Sequence, residues 1–217
     1  MTAEVQRSTS QRRFVVLDRD GTLIVECHHL SDPKEVTLLP RAAQGLRSLR
    51  RLGLGLIVVT NQSAIARGLI DPTRLGAIHQ RFRRLLRSEG VRLDGIYWCP
   101  HHPDDGCLCR KPGVGLVEQA ASELRFDPRR SFVIGDKPCD IDLGERMGAT
   151  TFLVRTGYGA QAASDQAAVP DYVVDDVRDA AQVIERLLTQ DRSTAPLTRE
   201  PVMASTPRSR RAGERIS

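Results

Sequence analysis

The stretch Phe14-Val15-Val16-Leu17-Asp18-Arg19-Asp20-Gly21-Thr22 constrains the fold of this chain more than any other. Four consecutive apolar residues read as a buried strand, and the run stops at two carboxylates spaced i and i+2. Side chains at that spacing leave a strand on the same side. Asp18 and Asp20 are therefore expected together at a strand's carboxyl end, where open α/β sheets place their sites. Gly21 permits a sharp turn, and Thr22 adds a hydroxyl beside the acids. Adjacent carboxylates repel unless a cation or a shared proton relieves them. The chemical reading is a magnesium site with a carboxylate nucleophile. The plainer reading is a strand ending in a polar turn, where Asp and Gly are common anyway.

The chain then alternates strand and helix patterns. Arg19–Leu39 has no helical periodicity and is expected as a loop over the site. Pro40 opens a helix to about Arg51, with Ala42, Leu46 and Leu49 on one face, and Gly53 ends it. Leu54–Thr60 is a continuous apolar run suited to a parallel strand covered on both faces. Asp71-Pro72 reads as an N-cap followed by Pro at the first helical position, opening a helix to about Ser88. Gly95–Trp98 is a short strand, 99–112 is irregular, and Gly113–Leu124 is a helix. Ser131–Ile134 is a strand, Asp140–Met147 a helix closed by Gly148, and Thr151–Val154 another strand. Residues 156–170 read as a Gly/Ala-rich loop, Tyr172–Val174 as an edge strand, and a last helix runs to about Leu188. This alternation predicts one α/β domain over 14–188 with a mainly parallel sheet, between a flexible lead (1–13) and a disordered basic tail (189–217).

Composition narrows the function classes. The net charge of +5 sits in the ends: 1–13 carry three Arg against Glu4, and 189–217 carry six Arg against Asp191, Glu200 and Glu214. The remaining 23 basic and 23 acidic residues balance, so the folded part lacks the basic excess of a nucleic-acid enzyme. No run approaches the roughly 18 apolar residues of a membrane helix, and Met1–Arg13 lacks a signal-peptide core. The expectation is a cytoplasmic monomer acting on a small molecule, with neither nucleic acid nor membrane as partner.

Reactive groups follow successive strands. Asp18 and Asp20 follow the first, Thr60 and Asn61 the second, Arg110 and Lys111 the irregular segment, and Asp136, Lys137 and Asp140 the fourth. Parallel strands bring such ends to one edge. Acids for Mg²⁺, a hydroxyl and an amide for oxyanions, and cations for phosphate make a phosphoryl-transfer site. A second constellation, Cys99-Pro100-His101-His102 followed by Cys107-Leu108-Cys109, holds soft and imidazole ligands enough for a tetrahedral Zn²⁺ site. Cys99, His101, Cys107 and Cys109 are the expected ligands, with His102 as the alternative to His101. The adjacent His28 and His29 would point to opposite faces of a strand and read, with Cys27, as a polar or substrate-facing loop. Cys139 reads as a small buried residue at a helix start.

Asp-Arg-Asp-Gly-Thr after an apolar strand resembles the first motif of the haloacid dehalogenase-like (HAD) phosphatases. Arg between the acids is similar to the group that includes heptose bisphosphate and histidinol phosphatases. The Cys-x-His…Cys-x-Cys loop running into Arg110-Lys111-Pro112, Val59–Gly68 and Asp94–His102 extend the resemblance over about residues 13–188. It implies a Rossmann-like three-layer fold with a zinc-binding loop and no cap domain. It implies that Asp18 attacks phosphorus to form an aspartyl-phosphate and that Asp20 serves as general acid and then base. Mg²⁺ would lie between the carboxylates of Asp18 and Asp136 and the backbone carbonyl of Asp20. Thr60 and Asn61 would grip the transferring phosphate, Lys111 would neutralise it and orient Asp18, and Lys137 would support the Asp136 side. Asp140 matches a further acid of the motif, acting through water or capping the next helix. Arg110 and Arg67 are candidates for a distal phosphate.

The implied substrate is a small phosphorylated sugar, a heptose 1,7-bisphosphate losing its 7-phosphate, with histidinol phosphate or another sugar phosphate as alternatives. A zinc-stabilised binding module without catalysis is the rival of another class. Two stretches depart from the group's pattern: His102–Gly106 is shorter than in several relatives, and Val25–Pro33 differs from the β-anomer enzymes.

Overall fold

The computed structural model describes residues 12–166 and 168–194. Six strands, β1 (Phe14–Leu17), β2 (Gly55–Asn61), β3 (Gly95–Cys99), β4 (Phe132–Gly135), β5 (Thr150–Val154) and β6 (Tyr172–Val174), form one sheet in the order β3-β2-β1-β4-β5-β6. Every neighbouring pair is parallel. Six α-helices accompany them: α1 (Ala42–Arg51), α2 (Pro72–Ser88), α3 (Gly115–Leu124), α4 (Pro138–Met147), α5 (Gly159–Ser164) and α6 (Val177–Thr194).

The period-two geometry of a strand sends alternate side chains to opposite faces, and β1 divides its residues accordingly. Val15 and Leu17 join the core under α1, α2 and α6, built from residues such as Leu46, Phe82 and Ile184. Phe14 and Val16 join the core on the other face, with Leu116, Val117 and Leu143 from α3 and α4. The result is three layers with both faces of the sheet covered, so β1, β2 and β4 are apolar along almost their whole length. The chain winds outward both ways from the β1/β4 pair, and the carboxyl ends of these strands flank the crevice where such sheets hold ligands.

Among the described residues, nothing between β1 and α1 amounts to a cap. Asp18–Arg41 contains a 3-10 turn at Pro33–Glu35 and isolated bridges from Ile24 to Asp20 and Leu38. No helix of the described residues is long and apolar enough to cross a membrane.

Several boundaries differ from expectation for local reasons. Helix α4 starts at Pro138, because Asp140 occupies the third position and reaches back to the Lys137 N–H instead of capping at the start. Helix α1 starts at Ala42, after Arg41 in the left-handed region, so Pro40 lies outside it. The segment expected as a loop over 156–170 contains α5, which buries Gly159 and Ala162. Helix α6 continues to Thr194. Arg12 and Arg13 bind the domain as well: Arg12 donates to the Leu54 carbonyl at 2.8 Å, and Arg13 pairs with Asp191 at 2.9 Å. The expectations for 1–11 and 195–217 lie outside the described residues.

Candidate active site and cysteine-histidine loop

The backbone leaves the β1 ladder at Leu17, and bends rather than the strand set the course of the next residues. Asp18 donates its N–H to the Ile134 carbonyl, which anchors it between β1 and β4. Its carboxylate lies with those of Asp136 and Asp140, with one oxygen of each residue within 4.8 Å of the others. Thr22 Oγ1 donates to Asp136 Oδ1 at 3.1 Å, and the Tyr158 N–H donates to Asp136 Oδ2 at 3.0 Å. Gly21 (φ +84°) and Gly157 (φ +57°) press against the same carboxylate; a Cβ on either would fall 2.2 or 2.3 Å from Asp136 Oδ2. Burial and the Asp18 charge push Asp136 up to about 7, with Lys137 opposing. Burial also raises Asp18, but Lys111 and Lys137 outweigh it and hold the carboxyl below its ordinary value. The cluster is a set of hard oxygen donors short of positive charge, which suits a divalent cation.

The two lysines serve it differently. Lys111 is buried, and its ammonium meets three acceptors: Asp18 Oδ1, Asp140 Oδ1 and the Val59 carbonyl, each at 2.7 Å. The contact with Asp18 is the one through which it would orient that carboxylate. Its Nζ donates to Asp18 Oδ1 and to the Val59 carbonyl, with Asp140 Oδ1 as an ion-pair neighbour. Asp140 Oδ2 accepts from the Lys137 N–H as the cap of α4, while its buried Oδ1 stands 2.7 Å from Lys111 Nζ in an ion pair without hydrogen-bond alignment. Lys137 is partly exposed and looser, with Nζ 3.2 Å from the Asp20 carbonyl and 3.0 Å from Glu26 Oε2.

Asp20 does not join the acid cluster through its carboxylate, contrary to what a continued strand would give. Arg19, completely buried, holds that carboxylate with Nε at 3.1 Å and Nη2 at 3.0 Å, and Gln62 Nε2 donates at 2.9 Å. Only the Asp20 backbone carbonyl faces the Lys137 side. Thr60 Oγ1 sits 3.5 Å from Asp20 Oδ2 and accepts from Gln62 Nε2 at 2.9 Å. Asn61, expected to grip an oxyanion, bonds across to the Lys111 backbone. Its Nδ2 donates to the Lys111 carbonyl at 3.2 Å and its Oδ1 accepts from the Lys111 N–H at 3.0 Å. The carboxamide is a clamp on the backbone of Lys111 that leaves one Nδ2 N–H for a ligand in the cleft. Sequence reasoning singles out neither Arg19 nor Gln62; each is a neighbour of a motif acid or hydroxyl, and that proximity is the available signal.

These groups line an open cleft of about 230 Å³. Asp18, Asp20, Thr60, Asn61, Arg110, Lys111 and Lys137 all border it. Arg110 also reaches the His101 carbonyl at 3.4 Å. Arg67 is exposed and is not part of the lining, so the second distal-phosphate candidate stands apart. Cys139, expected to be buried, is partly buried and borders the cleft. The rim includes Glu26 and His28 from the loop after β1, and Tyr158, which meets His28 Nδ1 through its hydroxyl at 2.8 Å.

The second constellation closes on itself just outside the cleft. Cys99 Sγ lies 3.5 Å from His101 Nδ1, 3.6 Å from Cys107 Sγ and 3.4 Å from Cys109 Sγ. Cys109 Sγ is 3.2 Å from His101 Nδ1 and 3.5 Å from Cys107 Sγ. A tetrahedron with metal–sulfur bonds of about 2.3 Å and metal–nitrogen of about 2.0–2.1 Å has edges of roughly 3.5–3.8 Å, close to these values. All three cysteines are free thiols. His102 is excluded from the set: its Nδ1 pairs with Asp104 and caps the turn Pro103–Asp105.

A buried aspartate oriented by a lysine at the carboxyl edge of a parallel sheet, with further acids at the neighbouring strand end, defines a phosphotransfer site of the HAD type. The model of the HAD-hydrolase-like family matches residues 108–180. The D-glycero-beta-D-manno-heptose-1,7-bisphosphate 7-phosphatase of Haemophilus influenzae is 35% identical over 184 residues, covering 81% of this chain and 98% of its own length. The D-glycero-alpha-D-manno-heptose-1,7-bisphosphate 7-phosphatase of Photorhabdus laumondii is 36% identical over 67% of this chain and 84% of its own. The crystal structure of D,D-heptose 1,7-bisphosphate phosphatase from B. bronchiseptica, complexed with magnesium and phosphate, superposes with a TM-score of 0.74. It is 34% identical to this chain and covers 82% of it and 99% of its own length. The chain belongs to the heptose-1,7-bisphosphate 7-phosphatase family of HAD phosphatases, phosphoric monoester hydrolases.

Proposed function

We propose that this enzyme removes the 7-phosphate from D-glycero-D-manno-heptose 1,7-bisphosphate, in the cytoplasm and as a monomer, through an aspartyl-phosphate on Asp18. The observation that carries the reading is the pairing of Asp18 with Lys111 at 2.7 Å inside the acid cluster. It leaves a buried carboxylate ionised and aimed at the cleft. In the first half-reaction an oxygen of Asp18 bonds to phosphorus as the bond to the sugar oxygen breaks, and the Asp20 carboxyl gives that oxygen a proton. In the second, Asp20 takes a proton from water, the water oxygen bonds to phosphorus, and the bond to Asp18 breaks to release phosphate. Arg19 and Gln62 hold Asp20 in place for both transfers.

The carboxylates of Asp18 and Asp136 and the carbonyl of Asp20 fit a Mg²⁺ ion, which when bound offsets the repulsion between nucleophile and phosphate. Cys99, His101, Cys107 and Cys109 fit a structural Zn²⁺ with no open position. Such a site would stiffen the loop that carries Arg110, aimed at a distal phosphate, and Lys111. The test is phosphate release with and without Mg²⁺ from α- and β-heptose 1,7-bisphosphate, histidinol phosphate and fructose 1,6-bisphosphate. Mg²⁺-dependent turnover selective for one heptose bisphosphate anomer is expected. Preference for histidinol phosphate would overturn the substrate and leave the chemistry standing.

A further inference from the structure

The acid cluster is served by two lysines of opposite character. Lys111 is locked: its side chain is 3% exposed and all three of its partners lie at 2.7 Å. Lys137 is not. Its side chain is 31% exposed, and its ammonium stands 3.7 Å from Asp18 Oδ2, 3.6 Å from Asp136 Oδ1 and 3.2 Å from the Asp20 carbonyl. Those are the three residues that fit Mg²⁺. The fourth neighbour, Glu26 Oε2 at 3.0 Å, lies on the cleft rim, and the Tyr158 ring lies 5.2 Å from Nζ on the same side. The backbone of Lys137 is fixed by its N–H bond to Asp140 and by Pro138 behind it, so motion is confined to the side chain.

We propose that Lys137 is a displaceable counter-ion: its ammonium shares the oxygens of Asp18, Asp20 and Asp136 with the divalent metal, and metal binding drives it toward Glu26 and Tyr158 at the cleft mouth. The inference rests on reading the acid cluster as the magnesium site. A divalent cation bound to these oxygens would stand close to the Lys137 ammonium, and like charges that close repel in a partly buried site. The ammonium on its flexible side chain yields, because it already holds Glu26 at 3.0 Å and can keep that partner as it leaves the acids. Lys137 then keeps the cluster neutralised without metal, weakens metal binding, and delivers a positive charge to the substrate side once metal is bound. A lysine that merely steadied the acids would do the reverse, and its removal would weaken metal binding.

The chain contains only three lysines, Lys34, Lys111 and Lys137, which makes a direct readout possible. Dialysed protein is labelled with an amine-reactive ester with and without Mg²⁺, and the three sites are quantified by peptide mass spectrometry. Exposed Lys34 gives the reference and buried Lys111 the floor. Labelling of Lys137 is expected to rise when Mg²⁺ is added; no change or a fall overturns the proposal. In parallel, Lys137→Met is titrated with Mg²⁺ alone by calorimetry. Removing a like charge from the site should tighten binding by about tenfold. Equal or weaker binding overturns the proposal. If the wild-type protein binds no Mg²⁺ at all, it is the magnesium reading of the acid cluster that fails, which separates the two.

Discussion

The two ligand clusters of this enzyme are assembled in opposite ways. The cysteine-histidine cluster draws all its groups from Cys99–Cys109, the last residue of β3 and the loop that follows it. The acid cluster joins Asp18 to Asp136 and Asp140 and is braced by bonds such as Thr22–Asp136, 114 residues apart, and Lys111–Asp18, 93 apart. A local cluster needs only its loop to close, whereas a distributed one exists only once β1 and β4 pair and bring their carboxyl ends together. The difference teaches where each is vulnerable: the first to loss of a ligand, the second to anything that shifts a strand end. They meet at Lys111, two residues beyond Cys109.

The sharpest separation should come from Asp18→Asn, which keeps the shape and removes the proposed nucleophile. Turnover is expected to fall on the order of 10⁴-fold or more, while metal analysis still finds about one zinc per chain as in the wild type. Activity surviving that change would rule out Asp18 as the nucleophile.

Cys109→Ser probes the join. Zinc content should drop, and turnover should fall by about 10–100-fold, because Lys111 extends from the loop that a zinc ion held there would fix. A zinc-free variant with full activity would show that the two clusters are independent. Gly21→Ala attacks only the distributed cluster. Its Cβ would meet Asp136 Oδ2 at 2.2 Å in a backbone with φ +84°. A loss of roughly 2–4 kcal/mol in urea unfolding is expected, with zinc retained in the folded protein.

The smallest effect concerns the ground beneath Asp20. His79 is buried on α2, its Nε2 has no hydrogen-bond partner, and burial with the charges of Arg19 and Arg83 pushes its pKa down to about 3. The folded state therefore binds fewer protons than the unfolded one between pH 3 and the ordinary value of 6.5. Stability from this residue is full above that window and drains as the pH falls through it. Unfolding free energies at pH 6.5 and 5 should differ by about 1–2 kcal/mol more in the wild type than in His79→Gln. Identical pH slopes would assign the acid sensitivity to other groups.

Much of this was readable in the chain. The strand-then-helix alternation gave the layers, since apolar runs of four to seven residues can be hidden only in a sheet covered on both sides. Cys99, His101, Cys107 and Cys109 announced their cluster because ligand type and short spacing are both local. Spacing alone could not choose His101 over His102; the turn at Pro103–Asp105, which takes the His102 imidazole as its cap, made that choice. Asp18, Asp20, Lys111 and Asp136 could be named, but not the direction each would face. The strand ended one residue before Asp18, so Asp20 swung to Arg19 and Gln62 instead of standing beside Asp18.

Sequence by itself determined which groups are present at each strand end and that the sheet is parallel, because side-chain chemistry and hydrophobic period are properties of neighbours along the chain. Tertiary structure alone decided their division of labour: Asn61 clamps Lys111, Asp140 pairs with it, and Lys137 stands loose over the acids. Hydrogen bonding saturates, so whichever partner folding brings within about 3 Å takes the donor or acceptor away from every other use. That competition is settled only when distant segments arrive.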